Sequence, residues 1–274
     1  MKKDLNYFTL PNILTLFNLI AGSLAIFFAF EKSETLYYAS FFIIAALVFD
    51  FLDGFVARII NAQSKIGAQL DSLADLVSFG IAPAVIALQM LLVALDIKSF
   101  SSDISTVNLF ILLSPILLIV AAALRLAKFN VDDRQKRDFF GLPTPASALF
   151  FISLPLLNEF NPDNLLILKT WLDVNLPFNF IIAVIGLQVY IIPSFLLYVI
   201  SIIISAVLQL VDLSMFSLKF DGLSYSKNKT RYIFVIISLF LIIFLQCFII
   251  PFIVILYVLF SVGDDVGRLF KKKE

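Results

Sequence analysis

Long uninterrupted apolar segments recur along the chain, and most are about as long as a helix that crosses a lipid bilayer. Between charged or turn-rich breaks they cover residues 12–31, 36–60, 71–96, 107–129, 144–158, 178–212 and 232–262. About 20 apolar residues in a helix span the roughly 30 Å hydrocarbon core of a membrane. The pattern therefore predicts an all-α fold, a polytopic bundle of transmembrane helices.

Two of these segments, 178–212 and 232–262, are too long for one simple crossing. As single helices they would measure roughly 45–50 Å. If the first crosses once with a bend at Pro193, and the second is a hairpin that turns near Pro251, the chain has about eight spans. Both termini then lie on the same side of the membrane.

The distribution of positive charge orients this bundle, because Lys and Arg accumulate in cytoplasmic loops. With eight spans, all but three of the 20 Lys and Arg residues fall on the side of the termini, the exceptions being Lys32, Lys98 and Lys169. That side is therefore predicted to be cytoplasmic. No eukaryotic targeting segment is evident, so we expect a bacterial inner membrane.

We expect residues 1–274 to form one membrane domain, with 12–212 as its catalytic core and 232–262 as a C-terminal helical hairpin. Residues 1–11 mix apolar and charged side chains, which predicts either a short amphipathic segment in the membrane interface or a frayed polar terminus. No small-residue cleavage site follows the first apolar stretch, so we expect that stretch to be retained as a span.

Composition supports a membrane protein and limits its chemistry. Hydrophobic residues make up 61% of the chain and charged residues 15%, against about 45–50% and about 25% in soluble domains. There is no His and only one Cys, Cys247, so proton transfer falls to carboxylates, Lys, Tyr or water, and a disulfide framework is excluded. The formal net charge is zero. We therefore expect no nucleic-acid partner.

Four aspartates interrupt the second and third predicted spans. Asp50 and Asp53 share one face near the end of the second span, while Asp71 and Asp75 form one stripe at the start of the third. Only a short turn separates these spans, so they run antiparallel and the stripes can face each other. An ionisable side chain inside a membrane costs about 2.5–3.5 kcal/mol and is a functional candidate by default.

Carboxylates gathered in this way would repel one another unless a cation lies among them. Oxygen-only ligation suits hard divalent cations such as Mg²⁺, Mn²⁺ or Ca²⁺, and Mg²⁺ sites commonly include substrate phosphates. Small residues that would let a phosphate approach the backbone stand nearby, at Gly54, Ala57 and Gly67. In the alternative interpretation the aspartates are solvated or paired with cations at Arg58, Lys65 and Arg125.

A fixed-spacing motif links these residues. The pattern D-x2-D-G-x2-A-R-x8-G-x3-D-x3-D is matched at every fixed position, by Asp50, Asp53, Gly54, Ala57, Arg58, Gly67, Asp71 and Asp75. In this the chain resembles the CDP-alcohol phosphotransferases. Residues 10–22, 71–84, 125–131 and 141–148 are similar to the branch of that family that uses L-serine as acceptor. The glycerol-phosphate branch usually has Lys after the last Asp, where this chain has Leu76.

The resemblance implies a six-helix core followed by two further C-terminal spans, and transfer of a phosphatidyl group from CDP-diacylglycerol to L-serine with release of CMP. It implies that the cofactor is Mg²⁺ or Mn²⁺, with as many as two ions bound, and that Ca²⁺ can substitute for them. Asp50, Asp53 and Asp71 would be metal ligands. Asp75 would share a second metal, act as general base, or do both. The family also commonly forms homodimers.

Further residues receive expected roles by the same resemblance. Gly54, Ala57, Arg58 and Gly67 would line the CDP end of the site. The candidates for the diphosphate or the serine carboxylate are cationic, namely Arg125, Lys128 and Arg134. Arginine suits a carboxylate because its planar fork binds both oxygens. Three smaller residues are expected beside the acceptor, Ser78, Gly80 and Thr144.

Two rival functions remain open at this stage. The same chemistry could use another acceptor, such as inositol phosphate, glycerol phosphate or choline. A transporter could use intramembrane carboxylates to move cations, but it would place acidic residues at several depths and on several spans. Here the acidic residues collect at the inner end of two adjacent spans, which favours an enzyme whose active site faces the cytoplasm.

Overall fold

The computed structural model describes residues 7–31, 35–98, 104–132, 139–159, 194–215, 225–245 and 249–271. The first half of the bundle consists of α1 (Leu10–Glu31), α2 (Leu36–Ile59), α3 (Lys65–Asp75), a π-helical segment (Leu76–Ile81) and α4 (Ala82–Ala94). The last three elements form one continuous helix from Lys65 to Ala94. The aspartates therefore flank the single turn that joins α2 to α3.

The remaining elements complete the bundle. They are α5 (Thr106–Leu113), α6 (Ile116–Val131), β1 (Phe139–Phe140), α7 (Thr144–Glu159), α8 (Ser194–Leu210), β2 (Ser214–Met215), α9 (Tyr225–Leu245) and α10 (Ile249–Lys271). Pro115 accompanies the short interruption between α5 and α6, as expected of a residue without a backbone donor. The two strands pair antiparallel over two residues each, so the fold is all-α in substance.

The predicted membrane bundle is confirmed. Among the described residues, four helices are long and apolar enough to cross a membrane, at Leu10–Glu31, Leu36–Ile59, Lys65–Ala94 and Thr106–Val131. Four shorter apolar helices follow, at Thr144–Leu156, Phe195–Leu210, Arg231–Leu241 and Ile250–Gly263. The chain is an integral membrane protein.

Small residues allow the first helices to pack closely. Ala21, Ala25 and Ala29 of α1 lie in one buried cluster with Ala39 and Ala46 of α2. Such small side chains permit close approach of helix backbones where no hydrophobic effect drives association. The outward faces carry large apolar side chains, such as Phe27 at 67% exposed and Phe51 at 65% exposed. Those faces suit contact with lipid.

Some sequence predictions fall on residues that the structure does not describe. These include most of the 1–11 segment, the first part of the 178–212 span with Pro193, and residues 246–248 between α9 and α10. Pro251 lies inside the first turn of α10, where a proline is tolerated because that backbone donor has no helical partner. The division into a 12–212 core and a 232–262 hairpin stays a prediction.

The C-terminal helices pack onto the core. Helix α9 packs against α10, and α10 in turn contacts α7 and β2. A buried apolar cluster joins these elements through Leu142, Met215, Phe234 and Tyr257. The last two described helices therefore reach the region where α7 begins, and this is the region of the candidate active site.

Candidate active site

The aspartates of α2 and α3 converge, as the helix-stripe argument predicts. One carboxylate oxygen from each of Asp50, Asp53 and Asp71 lies within 4.8 Å of the others. Asp53 is buried and the other two are partly buried. Three carboxylates at this separation can share one cation. Asp75, which is buried, lies outside this group of three.

Helix α1 holds Asp53 in place. The Thr15 hydroxyl, buried in the bundle, donates a hydrogen bond of 2.5 Å to Oδ2 of Asp53. A hydrogen bond to a carboxylate fixes which oxygen remains free for other ligands. Sequence reasoning missed Thr15 because a threonine in an apolar helix is common.

Helix α1 also holds Asp75, through Asn18. The Asn18 amide donates to Oδ1 of Asp75 at 3.1 Å, and its carbonyl oxygen accepts from the Ser78 hydroxyl at 2.6 Å. Ser78 lies in the π-helical segment directly after Asp75, and such segments are frequent at functional sites. Thr15, Asn18 and Gly22 lie at i, i+3 and i+7 on α1, a spacing that could have revealed this polar face from the sequence.

Gly22 makes the contact between α1 and the π-helical segment possible. A Cβ atom added at Gly22 would lie 2.7 Å from the Ser78 Cα and 2.6 Å from its hydroxyl oxygen. Any larger residue would therefore push the segment away. The Asn18–Ser78 and Asn18–Asp75 hydrogen bonds depend on this close approach.

Within the described part of the chain, no Lys or Arg forms a direct salt bridge with these four aspartates; the salt bridge found there joins Lys128 to Asp212. Direct ion pairing with Arg58, Lys65 or Arg125 therefore does not hold the carboxylates together. A cluster of carboxylate oxygens is the donor set of a hard divalent cation. The cluster could therefore hold such a metal.

A polar pocket of about 720 Å³ opens on one side of the cluster. It contains Asp53 and Asp71 together with all four residues predicted for the CDP end, Gly54, Ala57, Arg58 and Gly67. A Cβ atom placed on Gly54 would meet nothing closer than Nη2 of Arg58 at 4.0 Å. The backbone at Gly54 is therefore open to a ligand.

An amphipathic chamber of about 760 Å³ opens on the other side. Its polar end contains Asp50, Asp71, Asp75 and Arg125, and its apolar wall comes from later helices through Leu149, Phe234, Ile253, Val254 and Tyr257. Asp71 and Arg58 line both the polar pocket and the amphipathic chamber. The two spaces therefore meet at the carboxylate cluster.

Two buried polar groups face this chamber. The Nε atom of Arg125 and the hydroxyl of Thr144 have no hydrogen-bond partner among the described residues, although the two side chains are only 5% and 1% exposed. Buried polar groups are rarely left unpaired without a reason. Both residues line the chamber, which is where a polar ligand could satisfy them.

Other predicted residues lie elsewhere. Lys128 pairs with Asp212 and lines neither space, while Arg134 is outside the described residues. Ser78 holds Asn18. A Cβ atom at Gly80 would lie 3.0 Å from the Cβ of Ala122, so Gly80 serves helix packing. Neither Ser78 nor Gly80 lines the chamber.

Comparison with known proteins defines the class of this fold and site. The family description "CDP-alcohol phosphatidyltransferase" matches residues 8–180. The chain belongs to that family, as the motif predicts, and the family is generally dependent on a divalent metal.

Curated relatives are similar to this chain over a little more than half of its length. The chain is similar to the CDP-diacylglycerol–serine O-phosphatidyltransferase of Helicobacter pylori, at 33% identity over 151 residues, covering 54% of this chain and 58% of the relative. It is 36% identical over 153 residues to that of Methanocaldococcus jannaschii, covering 56% and 63%. It is 38% identical over 160 residues to that of Mycobacterium leprae, covering 56% and 48%. The chain thus spans about half to six-tenths of these relatives.

Proposed function

We propose that this protein transfers a phosphatidyl group from CDP-diacylglycerol to L-serine and releases CMP. The observation that carries the proposal is the meeting of a polar pocket and an amphipathic chamber at one carboxylate cluster. A lipid nucleotide needs both kinds of space at once. The names of the relatives give the same substrates.

The metal is proposed to be Mg²⁺ or Mn²⁺, held by Asp50, Asp53 and Asp71, with Asp75 available to a second ion and Ca²⁺ as a substitute. Such an ion would neutralise charge on the diphosphate. Thr15 would keep Asp53 in a fixed orientation through its hydrogen bond. The oxygen of Asp53 that faces the cluster is then always presented in the same direction.

The polar pocket is proposed to hold the cytidine diphosphate. Gly54 and Ala57 give it a surface without large side chains, so phosphate oxygens can approach the backbone there. Gly67 lines the pocket but its backbone is covered, because a Cβ atom there would lie 2.9 Å from Oδ1 of Asn12. Arg58 lines both spaces and can contact the diphosphate between them. The acyl chains would lie toward the apolar wall of the chamber.

Asp75 is proposed to act as general base. It is buried at the polar end of the chamber and oriented by Asn18. In the transfer, the serine hydroxyl oxygen bonds to the phosphatidyl phosphorus, the bond from that phosphorus to the CMP oxygen breaks, and the hydroxyl proton passes to Asp75. A carboxylate within reach makes a serine hydroxyl a better nucleophile at neutral pH.

Arg125 is proposed to bind the serine carboxylate. Its side chain is buried, lines the chamber and has an unpartnered Nε atom. The guanidinium offers five donors in a planar fork that matches a carboxylate. A cationic acceptor such as choline would leave this buried guanidinium unsatisfied, which favours an anionic acceptor such as serine.

The proposed location is the cytoplasmic face of a bacterial inner membrane. The lipid chains of CDP-diacylglycerol stay in the bilayer, whereas serine and the cytidine group are water-soluble, so the reactants meet at that boundary. The asymmetric distribution of Lys and Arg supports this orientation. Homodimer formation stays a prediction.

The test is an acceptor panel with purified full-length protein. CDP-diacylglycerol and Mg²⁺ or Mn²⁺ are supplied with labelled serine, glycerol 3-phosphate, inositol phosphate or choline in parallel, and CMP release is measured. We expect release that depends on both metal and serine. Release with another acceptor and not with serine would contradict the proposal and leave only the family chemistry.

A further inference from the structure

Two nearby positions on α1 hold different aspartates. Thr15 lines the polar pocket and donates a hydrogen bond to Asp53, which belongs to the group of three carboxylates. Asn18, less than one turn further along the helix, donates to Asp75, which lies outside that group. Helix α1 therefore supports the proposed metal ligands and the proposed base through separate side chains.

Asn18 reaches Asp75 but faces neither open space. Its side chain is fully buried and lines neither the polar pocket nor the amphipathic chamber. Among its hydrogen-bond partners in the described part of the chain, Asp75 is the one that lines the chamber. Asn18 can therefore act on the reaction through Asp75, but not by touching a substrate.

The direction of the Asn18 amide is set from two sides. A carboxylate only accepts hydrogen bonds, so the amide nitrogen faces Oδ1 of Asp75, at 3.1 Å. The amide oxygen faces the Ser78 hydroxyl, at 2.6 Å. That hydroxyl is fully buried and also lies 2.8 Å from the Ala74 carbonyl, so it has a fixed place. Turning the amide over would set its oxygen against a carboxylate oxygen.

This geometry gives the two oxygens of Asp75 different surroundings. Oδ1 accepts from Asn18, which leaves Oδ2 as the oxygen that can take a proton from a substrate hydroxyl. Asp75 and Ser78 are three residues apart in the continuous helix Lys65–Ala94, so both can meet α1 on one face. The close approach at Gly22 keeps α1 within reach of both side chains.

We infer that Asn18 is a positioning residue that reserves Asp75 for proton transfer, with Ser78 fixing the direction of the Asn18 amide. The inference rests on the proposed function and assigns Asp75 to the role of base instead of metal ligand. Thr15 has the corresponding role on the metal side, through Asp53. Two polar residues of one apolar helix thus serve two different steps of the reaction.

The test is the Asn18→Leu variant, which keeps the approximate size of the side chain and removes both amide hydrogen bonds. We expect kcat with serine to fall about 10–100-fold, as for the loss of one hydrogen bond to a charged group. The KM for CDP-diacylglycerol and the metal concentration for half-maximal activity should stay within about twofold. Thr15→Val should show the opposite pattern, with a raised metal requirement.

Rates are expressed per CDP-diacylglycerol-binding site, so that unfolded protein does not count. Ser40→Ala is the matched control for loss of a buried polar group. Its hydroxyl is fully buried and bonds to the Leu36 carbonyl of its own helix. All three constants should therefore stay at wild type in this variant.

A second variant, Ser78→Ala, tests the amide direction with a smaller change. It keeps Asn18 but removes the partner of the amide oxygen, so kcat should fall about threefold to tenfold. In the Asn18→Leu background, Ser78→Ala should lower kcat by less than about twofold further, because the two residues act as a unit.

The outcomes distinguish this inference from the proposed function. Wild-type protein that releases no CMP with serine contradicts the proposed function itself. If the wild type uses serine, a wild-type kcat in Asn18→Leu overturns the inference. A rise in metal requirement as large as that of Thr15→Val also overturns it, because Asp75 would then be a metal ligand. If Asn18→Leu yields no folded protein, an unchanged kcat in Ser78→Ala overturns it.

Discussion

The polar pocket and the amphipathic chamber share Asp71 and Arg58 but are built in different ways. The residues lining the polar pocket lie within 11–15 and 53–71, and its predicted ligand contacts stand in one short motif. The chamber draws on α2, α3, α6, α7, α9 and α10, from Asp50 to Tyr257. The polar pocket is therefore encoded locally, whereas the amphipathic chamber exists only after distant helices have packed.

The largest expected effect comes from the aspartate that lines both spaces. Asp71→Asn removes one charge of the cluster at their junction, so we expect turnover to fall about 10³-fold or more, with weaker binding of CDP-diacylglycerol. CMP release and lipid-nucleotide binding are measured on the same preparation. Asp212→Asn, which breaks only the exposed pair with Lys128, is the control and should retain activity.

Asp75 lines the chamber but not the polar pocket. Its substitution should therefore change turnover without changing the binding of CDP-diacylglycerol. We expect Asp75→Asn to lose about 10²-fold or more in turnover and to keep its affinity for CDP-diacylglycerol. Single-turnover CMP release and equilibrium binding of CDP-diacylglycerol are both measured on this variant. Near-normal turnover would remove Asp75 from the role of base.

A smaller effect is expected where α1 supports the proposed metal ligands. Thr15→Val removes the hydrogen bond to Asp53 and keeps the shape of the side chain, so the metal concentration for half-maximal activity should rise about 10–100-fold. A Mg²⁺ or Mn²⁺ titration of activity measures it. Ser23→Ala on the exposed face of the same helix, where the hydroxyl bonds only to Leu19, should leave the titration unchanged.

The smallest effect is expected at the helix contact behind the site. Gly22→Ala places a methyl group against the Ser78 backbone, which should destabilise the protein by about 1–3 kcal/mol. Thermal unfolding in detergent measures the loss. Gly263→Ala is the matched control, because a Cβ atom there meets nothing within 4 Å; an equal loss in both variants would show that Gly22 has no special role.

The sequence predicted the local half of the site well and the distant half poorly. Spacing of 3 and 4 residues brought the aspartates onto facing stripes, and the structure brings three of them within 4.8 Å of one another. The polar face of α1 at Thr15 and Asn18 was missed because single polar residues in apolar helices usually pack without a special role. The part of the chamber wall that comes from α9 and α10 gave no signal, because only tertiary packing brings these helices to the chamber.

The bundle itself followed from hydropathy, since long apolar segments have few alternatives to membrane helices. The points at which its helices are interrupted did not follow from hydropathy. The π-helical segment at Leu76–Ile81 has no periodicity that distinguishes it from the α-helix on either side. The pairing of Phe139–Phe140 with Ser214–Met215 joins residues that are far apart in the sequence.

The most direct test of the account is to locate the metal and the nucleotide in the full-length protein crystallised with Mn²⁺ and CDP. The anomalous signal of Mn²⁺ should lie among Asp50, Asp53 and Asp71, with the cytidine in the polar pocket beside Gly54 and the amphipathic chamber free for lipid and acceptor. Mn²⁺ bound away from these carboxylates, or cytidine seated in the chamber beside Arg125, would contradict it.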